Sequence, residues 1–229
     1  MKLMTDAIAV LKQQGAVVVD PADVPSFIDK DPDKNFQLFN YCQGAEHAKG
    51  GDLSCSINFK YGMKRDFNAW LQSLGSSAPV KSLTELREWN LAHAKAGAIK
   101  YGQSRLDISD EMDLEKDRAR NEADVQKDIL LSRTYGIDGV LKLYNLDAIL
   151  TPGGSGAGLA SRAGYPIIVV PFGFVPNGEP QSFPPGFDPK PAPFGVGFTG
   201  TSCSEPKLLE MAYGFEKATH KRVPPPNLP

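Results

Sequence analysis

NLDAILTPGGSGAGLASRAGYPIIVVPFGF, running from Asn145 to Phe174, reads as strand, glycine-rich turn, short helical segment and second strand. Leu146 to Thr151 is a short apolar run closed by Pro152. Ile167, Ile168, Val169 and Val170 lie between Pro166 and Pro171, too few residues for a helix. A β-branched run of that length between prolines predicts a strand buried on both faces, with proline held to the strand ends. Gly153, Gly154, Gly156 and Gly158 fill the turn. Glycines there permit positive φ and close approach of backbone or ligand. Ligands of α/β sheets bind beyond the carboxyl ends of strands, so Pro152 to Leu159 is the predicted pocket wall.

The rest of the composition sets bounds. A chain of 229 residues, 41% hydrophobic and 23% charged, has the make-up of an ordinary globular protein. A net charge of -2 leaves no basic footprint for nucleic acid or an anionic membrane. No apolar run is long enough to span a bilayer. MKLMTDAIAVLKQQG at the start is broken by Asp6, Lys12 and Gln13, which does not fit a signal peptide. Cys42, Cys55 and Cys203 form an odd set without metal-type spacing, and a reduced, cytoplasmic protein is the simplest reading.

Upstream of the opening stretch, Thr5 to Gln14 carries Ala7, Ile8, Val10 and Leu11 on one helical face. Gly15 follows as a C-cap and Ala16 to Asp20 predicts a strand. That is half of a crossover unit, with no strand before its helix. Asn35 to Lys49 is expected to be helical. Phe59, Met63, Phe67, Trp70, Leu71 and Leu74 recur at helical spacing over Ile57 to Leu74, and Gly75 stops the run. Ser82 and Glu85 have the spacing of a capping box, in which the hydroxyl and the carboxylate satisfy free amides of the first turn. The helix they begin runs to Gly97. Asp110 to Tyr135, dense in interleaved charge, predicts one long solvated helix. Gly173 to Gly195 reads as a long ordered loop anchored by phenylalanines. Val196 to Thr199 is a further strand, and Ser204 is expected to cap a last helix from Glu205 to Thr219. Residues 223–229 read as a loosely ordered tail.

Catalytic signals are thin. Ser155 follows a strand among glycines, as in a nucleophile elbow, but Ala157 stands where the second glycine belongs. A triad would require His220 with Asp188, and a histidine in a last helical turn more often meets free carbonyls. Ser204 and Lys207 spell a Ser-x-x-Lys dyad, yet capping already accounts for Ser204. The turn fits neither a dinucleotide fingerprint nor a P-loop. His47, His93 and His220 are scattered, and Cys55 near His47 reads as a structural cysteine.

Several segments, in order, resemble amidase-signature enzymes. Leu146 to Pro152, Ala163-Gly-Tyr-Pro166 and Ile167 to Phe174 carry the likeness, followed by Phe198-Thr-Gly200, Ser204-Glu205 and Ala212 to Ala218. Ala7 to Asp20, Phe67 to Leu71, Ala78 to Val80, Leu83 to Asn90 and Tyr101 to Gln103 extend it to nearly the whole chain. The similarity is to the C-terminal half of such an enzyme, nearest the peptide-amidase or acetamidase-like branch. It implies amide hydrolysis by a Ser–cis-Ser–Lys triad in the complete enzyme. The lysine and the Gly-Gly-Ser-Ser-Gly-Gly-type signature belong to the family's N-terminal half and neither is found here, so no catalytic residue carries over. What carries over is the position of a cleft wall and no defined contact; Gly153, Gly154, Ser155, Gly156 and Leu159 on it are the candidate substrate-binding residues. No metal and no cofactor is expected.

Together these readings predict one α/β domain over residues 1–229, with a mixed, largely parallel sheet of strands at 16–20, 147–151, 167–171 and 196–199 and helices on both faces. They predict the non-catalytic half of an amidase, whose partners are the N-terminal half or a second copy, with a small amide as the complete enzyme's substrate. The alternatives are a free-standing binding module that kept the wall, and a serine hydrolase using Ser155. An apolar face around the helix at 5–14 is expected to drive association.

Overall fold

A computed structural model describes residues 2–43, 55–177, 186–187 and 190–224. Its helices are α1 (Lys2–Gln13), α2 (Pro25–Ile28), α3 (Asn58–Ser73), α4 (Leu83–Ala92), α5 (Ser104–Asp110), α6 (Arg118–Ile129), α7 (Asp138–Tyr144), α8 (Ala157–Ala163) and α9 (Glu205–Thr219). The strands are β1 (Ile149–Pro152), β2 (Ile167–Val175) and β3 (Ala192–Thr199). The chain divides into two compact units. The first joins residues 1–28 to 131–229, and the second is the continuous stretch 29–130.

The first unit is built on the sheet. Its strand order is β1-β3-β2, and β3 is antiparallel to both neighbours. This corrects the largely parallel sheet. β1 and β2 do run the same way, as a strand–helix–strand crossover requires. The slot between them is occupied by β3, so every pairing in the sheet becomes antiparallel. β2 is therefore an edge strand, which explains how Pro171 sits inside it without costing a ladder bond. Pro171 pairs with Gly195 and Gly173 with Phe194, leaving Phe172 at a bulge. Phe172 is buried and lies 5.3 Å from Phe215 of α9, centroid to centroid. Val170, Val196, Phe198, Leu208 and Phe215 share this core with Ala7 and Leu11 of α1.

α1 ends as predicted. Gly15 has φ +92°, and the Ala16 amide donates to the Leu11 carbonyl at 3.0 Å, the wrap that satisfies free carbonyls of a last turn. Ala7 and Leu11 of α1 are buried against β2 and α9, while Val17 just beyond the helix is exposed. The strand expected at Ala16 to Asp20 is not in the sheet either. A β-branched run becomes a strand only when it finds a partner ladder, and this one finds none among the described residues.

The second unit is helical, with α3 against α4, α5 and α6. α3 falls almost where its spacing places it. The Ser82 hydroxyl accepts the Glu85 amide at 3.1 Å, and the Glu85 carboxylate accepts the Lys81 amide at 2.7 Å. The capping box thus closes one residue early on the return side. The single helix expected over 110–135 breaks into α6 and a π-type run, Leu130–Ile137. Gly136, at φ -100° and ψ -114°, kinks that run. Residues 35–43 form turns instead of the expected helix, whose remainder lies outside the described residues. The loop expected over 173–195 is shortened at both ends by β2 and β3, and 178–185 fall outside the described residues.

Cys42 and Cys55 are joined in a disulfide, with Cα atoms 5.1 Å apart, well inside bridging range. The expectation of three reduced cysteines is corrected, and Cys203 is the free thiol. The spacing alone hid the pairing, because Tyr41 and Ser56 form an isolated bridge that brings the two segments together.

Candidate functional site

Proline ends β1, and the chain then turns sharply into α8. Gly153 has φ +55° and its amide donates to the Gly195 carbonyl at 2.7 Å, a conformation that side chains rarely adopt. The Ser155 amide donates to the Pro152 carbonyl at 3.2 Å, and the Ala157 amide to the Gly154 carbonyl at 2.9 Å. These bonds close the turn over the strand end.

The five candidate substrate-binding residues differ in exposure. Gly154 and Ser155 are exposed, and a Cβ built on Gly154 meets nothing within 4 Å. Gly156 and Leu159 are buried. A Cβ on Gly156 would lie 3.0 Å from both Thr151 Cγ2 and Thr151 Oγ1 and 3.2 Å from Thr199 Oγ1. A Cβ on Gly136 would come within 3.3 Å of Leu159 Cδ1, so Leu159 faces the π-type run. Gly153 is half-buried. Of these five, Gly154 and Ser155 lie on the surface, beside the exposed Pro152, Ala157 and Gly158, and Gly156 and Leu159 lie beneath. Cavities of about 420 and 390 Å³ lie in the second unit, and the turn lines neither.

Thr151 Oγ1 and Thr199 Oγ1 are both buried beside Gly156 without a hydrogen-bond partner among the described residues. Buried hydroxyls ordinarily have one. Nothing in the sequence marks this pair, since the two threonines come together only through the β1–β3 register, in which Thr151 faces Gly197 and Thr199 faces Ile149.

Behind the turn, α8 is tied down by side chains that the sequence reading missed. The Tyr165 hydroxyl donates to Asp138 Oδ2 at 2.8 Å and the Thr201 hydroxyl to Asp138 Oδ1 at 2.7 Å. Arg133 Nε donates to the Ala163 carbonyl at 2.6 Å, and its guanidinium lies over the Tyr165 ring. Burial, reinforced by the hydrogen bond to Asp138, pushes the Tyr165 phenol above its ordinary value, so it stays protonated as a donor. These partners are 27 and 63 residues apart in sequence. Only the Ala163-Gly-Tyr-Pro166 segment gave any signal of them.

The catalytic candidates do not assemble. No hydrogen bond reaches the Ser155 hydroxyl among the described residues. His220 sits at the C-cap of α9 with φ 47°, and Asp188 lies outside the described residues. The Ser204 hydroxyl donates back to the Thr201 carbonyl at 2.7 Å and does not cap α9, which corrects its predicted role. Lys207 is paired with Asp147, so the Ser-x-x-Lys spelling has no dyad behind it. Cys55 is consumed by the disulfide, and His47 lies outside the described residues. Among the described residues no group of three or more His, Cys, Asp or Glu could hold a metal ion, and no helix is long and apolar enough to cross a membrane.

No profile of a known family matches the chain. Individual proteins do. A probable amidase of Arabidopsis thaliana is 29% identical over 97% of this chain, which corresponds to 37% of that protein. A putative amidase of Arthroderma benhamiae is 27% identical over 94% of this chain and 34% of its own length. The solved peptide amidase of Stenotrophomonas maltophilia overlays 98% of this chain on 40% of itself, at 29% identity and a TM-score of 0.71. The structure of an amidase family protein from Bacillus anthracis, 24% identical with a TM-score of 0.70, repeats the fold over 36% of its chain. This chain thus resembles part of an amidase along almost all of its length, and it spans little more than a third of the curated relatives it matches.

Proposed function

We propose that the chain is the C-terminal, non-catalytic part of an amide-bond hydrolase of the Ser–cis-Ser–Lys type, and that its β1–α8 turn is one wall of the substrate cleft. The observation that carries this is the match of 97% of the chain to just over a third of a probable amidase. The isolation of Ser155 supports it. A hydroxyl with no base in hydrogen-bond reach is a weak nucleophile, so the hydrolase reading based on Ser155 gains nothing from the geometry. In this role the exposed Gly154 and Ser155 face the substrate, and Gly156 and Leu159 fix their position. The substrate class is a small amide. A peptide amide is the first to try, because one solved relative is a peptide amidase. The Cys42–Cys55 bridge supports an oxidising compartment over the cytoplasm expected from the cysteine count.

The test mixes this chain with the separately produced complementary portion of the Stenotrophomonas maltophilia peptide amidase and follows ammonia release from a peptide amide. Neither part alone should hydrolyse above background, because a complete triad contributes on the order of a millionfold to turnover. Activity should appear on mixing. It should fall at least about tenfold with Gly154→Leu, because misplacing a substrate by about an ångström costs more than that. The Gly154 site has open space on the chain itself, so this variant should fold normally. Hydrolysis by the chain alone that Ser155→Ala abolishes would overturn the proposal.

A further inference from the structure

We propose that Cys55 is a site of thiol–disulfide exchange with a small thiol, and that exchange there releases residues 36–43 from the second unit. The Cys42–Cys55 bridge presents its two sulfurs unequally. Cys42 is 1% exposed and packs among Ile57, Tyr61 and Met112. Cys55 is half-buried and lines the cleft of about 390 Å³, which it shares with Asp33, Phe39 and, from α6, Asp124 and Lys127. That volume falls within the range of small-molecule sites, about 300–1,000 Å³. Exchange depends on access to the sulfur attacked, so a thiol entering the cleft meets Cys55 while Cys42 stays covered. The thiolate attacks Cys55 Sγ and bonds to it. The Cys42–Cys55 bond breaks, and its electron pair goes to Cys42 Sγ, which takes a proton from solvent. A second thiol molecule then attacks the mixed disulfide, leaves as a small disulfide and returns Cys55 as a thiol. Two small thiols are oxidised to one disulfide, and the bridge is reduced to two thiols.

The two sides of the bridge are anchored differently. On the Cys55 side, the Ile57 amide donates to Asp124 Oδ2 at 2.8 Å and the Ser56 hydroxyl to Asp128 Oδ2 at 3.1 Å. Arg120 Nη2 donates to the Cys55 carbonyl at 3.1 Å. These bonds to α6 do not involve the sulfurs. On the Cys42 side, residues 36–43 form turns. They meet the other segment through a two-bond ladder, the Cys42 amide to the Ser56 carbonyl and the Ser56 amide to the Asn40 carbonyl, each at 2.8 Å. Even a two-stranded hairpin is marginal in water, and this ladder is shorter, so the covalent bridge fixes its register. Lys127 lies 4.5 Å from the Phe39 ring centroid and pairs with Asp33 at 2.9 Å. Asp33 is 90% exposed on its side chain, so that pair holds little. Opening the bridge frees the Cys42 side and uncovers Phe36 and Phe39, which are buried in the oxidised chain. The Cys55 side stays on α6. A bridge that a thiol can reach is of the labile, regulatory kind.

The experiment treats the full chain with glutathione, stops the exchange early with N-ethylmaleimide and maps both groups by mass spectrometry. Glutathione should be found on Cys55 with the maleimide on Cys42, at least about tenfold more often than the reverse. In the fully reduced chain, chymotrypsin should cut after Phe36, Phe39 or Tyr41 at least about tenfold faster than in the oxidised chain, with α3 and α6 left whole over the same time. Glutathione on the two sulfurs alike, or a bridge that opens only after the chain is unfolded in denaturant, would overturn the exchange site. First cuts of the reduced chain within α3 or α6, or cutting over 36–43 no faster than before, would reduce the bridge to a staple and overturn the release.

Discussion

Replacing Gly156 with alanine should destabilise the first unit, and Thr151 should be the reason. The added methyl would stand 3.0 Å from two Thr151 side-chain atoms and 3.2 Å from Thr199 Oγ1. Relaxed contacts between carbons are about 3.5–4.0 Å, so the threonines must yield by roughly half an ångström. Overpacking of this kind costs about 1–3 kcal/mol. The backbone opposes this slightly. Gly156 has φ -76° and ψ -11°, a shape alanine adopts freely, and removing glycine's freedom from the unfolded chain stabilises by about 0.4–1 kcal/mol. The net expectation is a loss of about 0.5–2 kcal/mol. In a Thr151→Ala background both 3.0 Å contacts vanish, and the two changes should couple by about 1 kcal/mol. Tryptophan fluorescence is blind to this, because Trp70 and Trp89 both lie in the second unit. Native-state hydrogen exchange over β3 and α8 peptides reads it directly. A Gly156→Ala variant as stable as the parent, or one equally destabilised with and without Thr151→Ala, would refute the packing argument.

Reduction should loosen the second unit. Breaking Cys42–Cys55, which closes a short loop of 13 residues, should cost about 2–4 kcal/mol, and thiol labelling before reduction should find only Cys203 reactive. A full set of reactive thiols in the native chain would remove the bridge from the fold. The same unit should be sensitive to acid. Burial alone would raise the Asp110 carboxyl, but hydrogen bonds from Thr84 and Arg87 and the charge of Lys64 outweigh it and hold it below its ordinary 3.8. A lowered acid stabilises above its unfolded value and loses that contribution as pH falls through the lower folded one. Tryptophan fluorescence should therefore show stability declining below pH 3.8. Asp110→Asn should flatten that decline and cost about 1.5–3 kcal/mol near neutrality, when Arg87 loses a charged partner. An unchanged acid profile in the variant would contradict this.

Local rules made much of the fold legible. Helical spacing located α3, Gly15 closed α1, and Glu205 to Thr219 was read to the residue. Sheet pairing was not legible, because direction and order depend on contacts that no local pattern encodes. A largely parallel sheet was expected from the strand–helix–strand order, whereas β3 lies between β1 and β2 and pairs antiparallel with both. Ser204 shows the limit of motif reading, since a hydroxyl at the first residue before a helix can turn to Thr201 instead. For the candidate site, the glycine turn was visible as a turn. Its division into an exposed tip and a buried support came from Thr151 and Thr199, whose approach to Gly156 is a matter of register. Asp138, Tyr165 and Thr201 meet across long separations and left no periodic trace.

The first unit is assembled from both ends of the sequence, and this has a consequence on the ribosome. α1 is buried by β2 and α9, and its Leu11 shares a core with Phe215. At about 5–20 residues per second, the roughly 200 residues between Gln13 and Phe215 take about 10–40 s to be synthesised. Residues 29–130 emerge within that interval as a continuous stretch able to condense by itself. Until β2 and then α9 leave the exit tunnel, α1 waits without these two partners, and its apolar face stays open to chaperones and proteases.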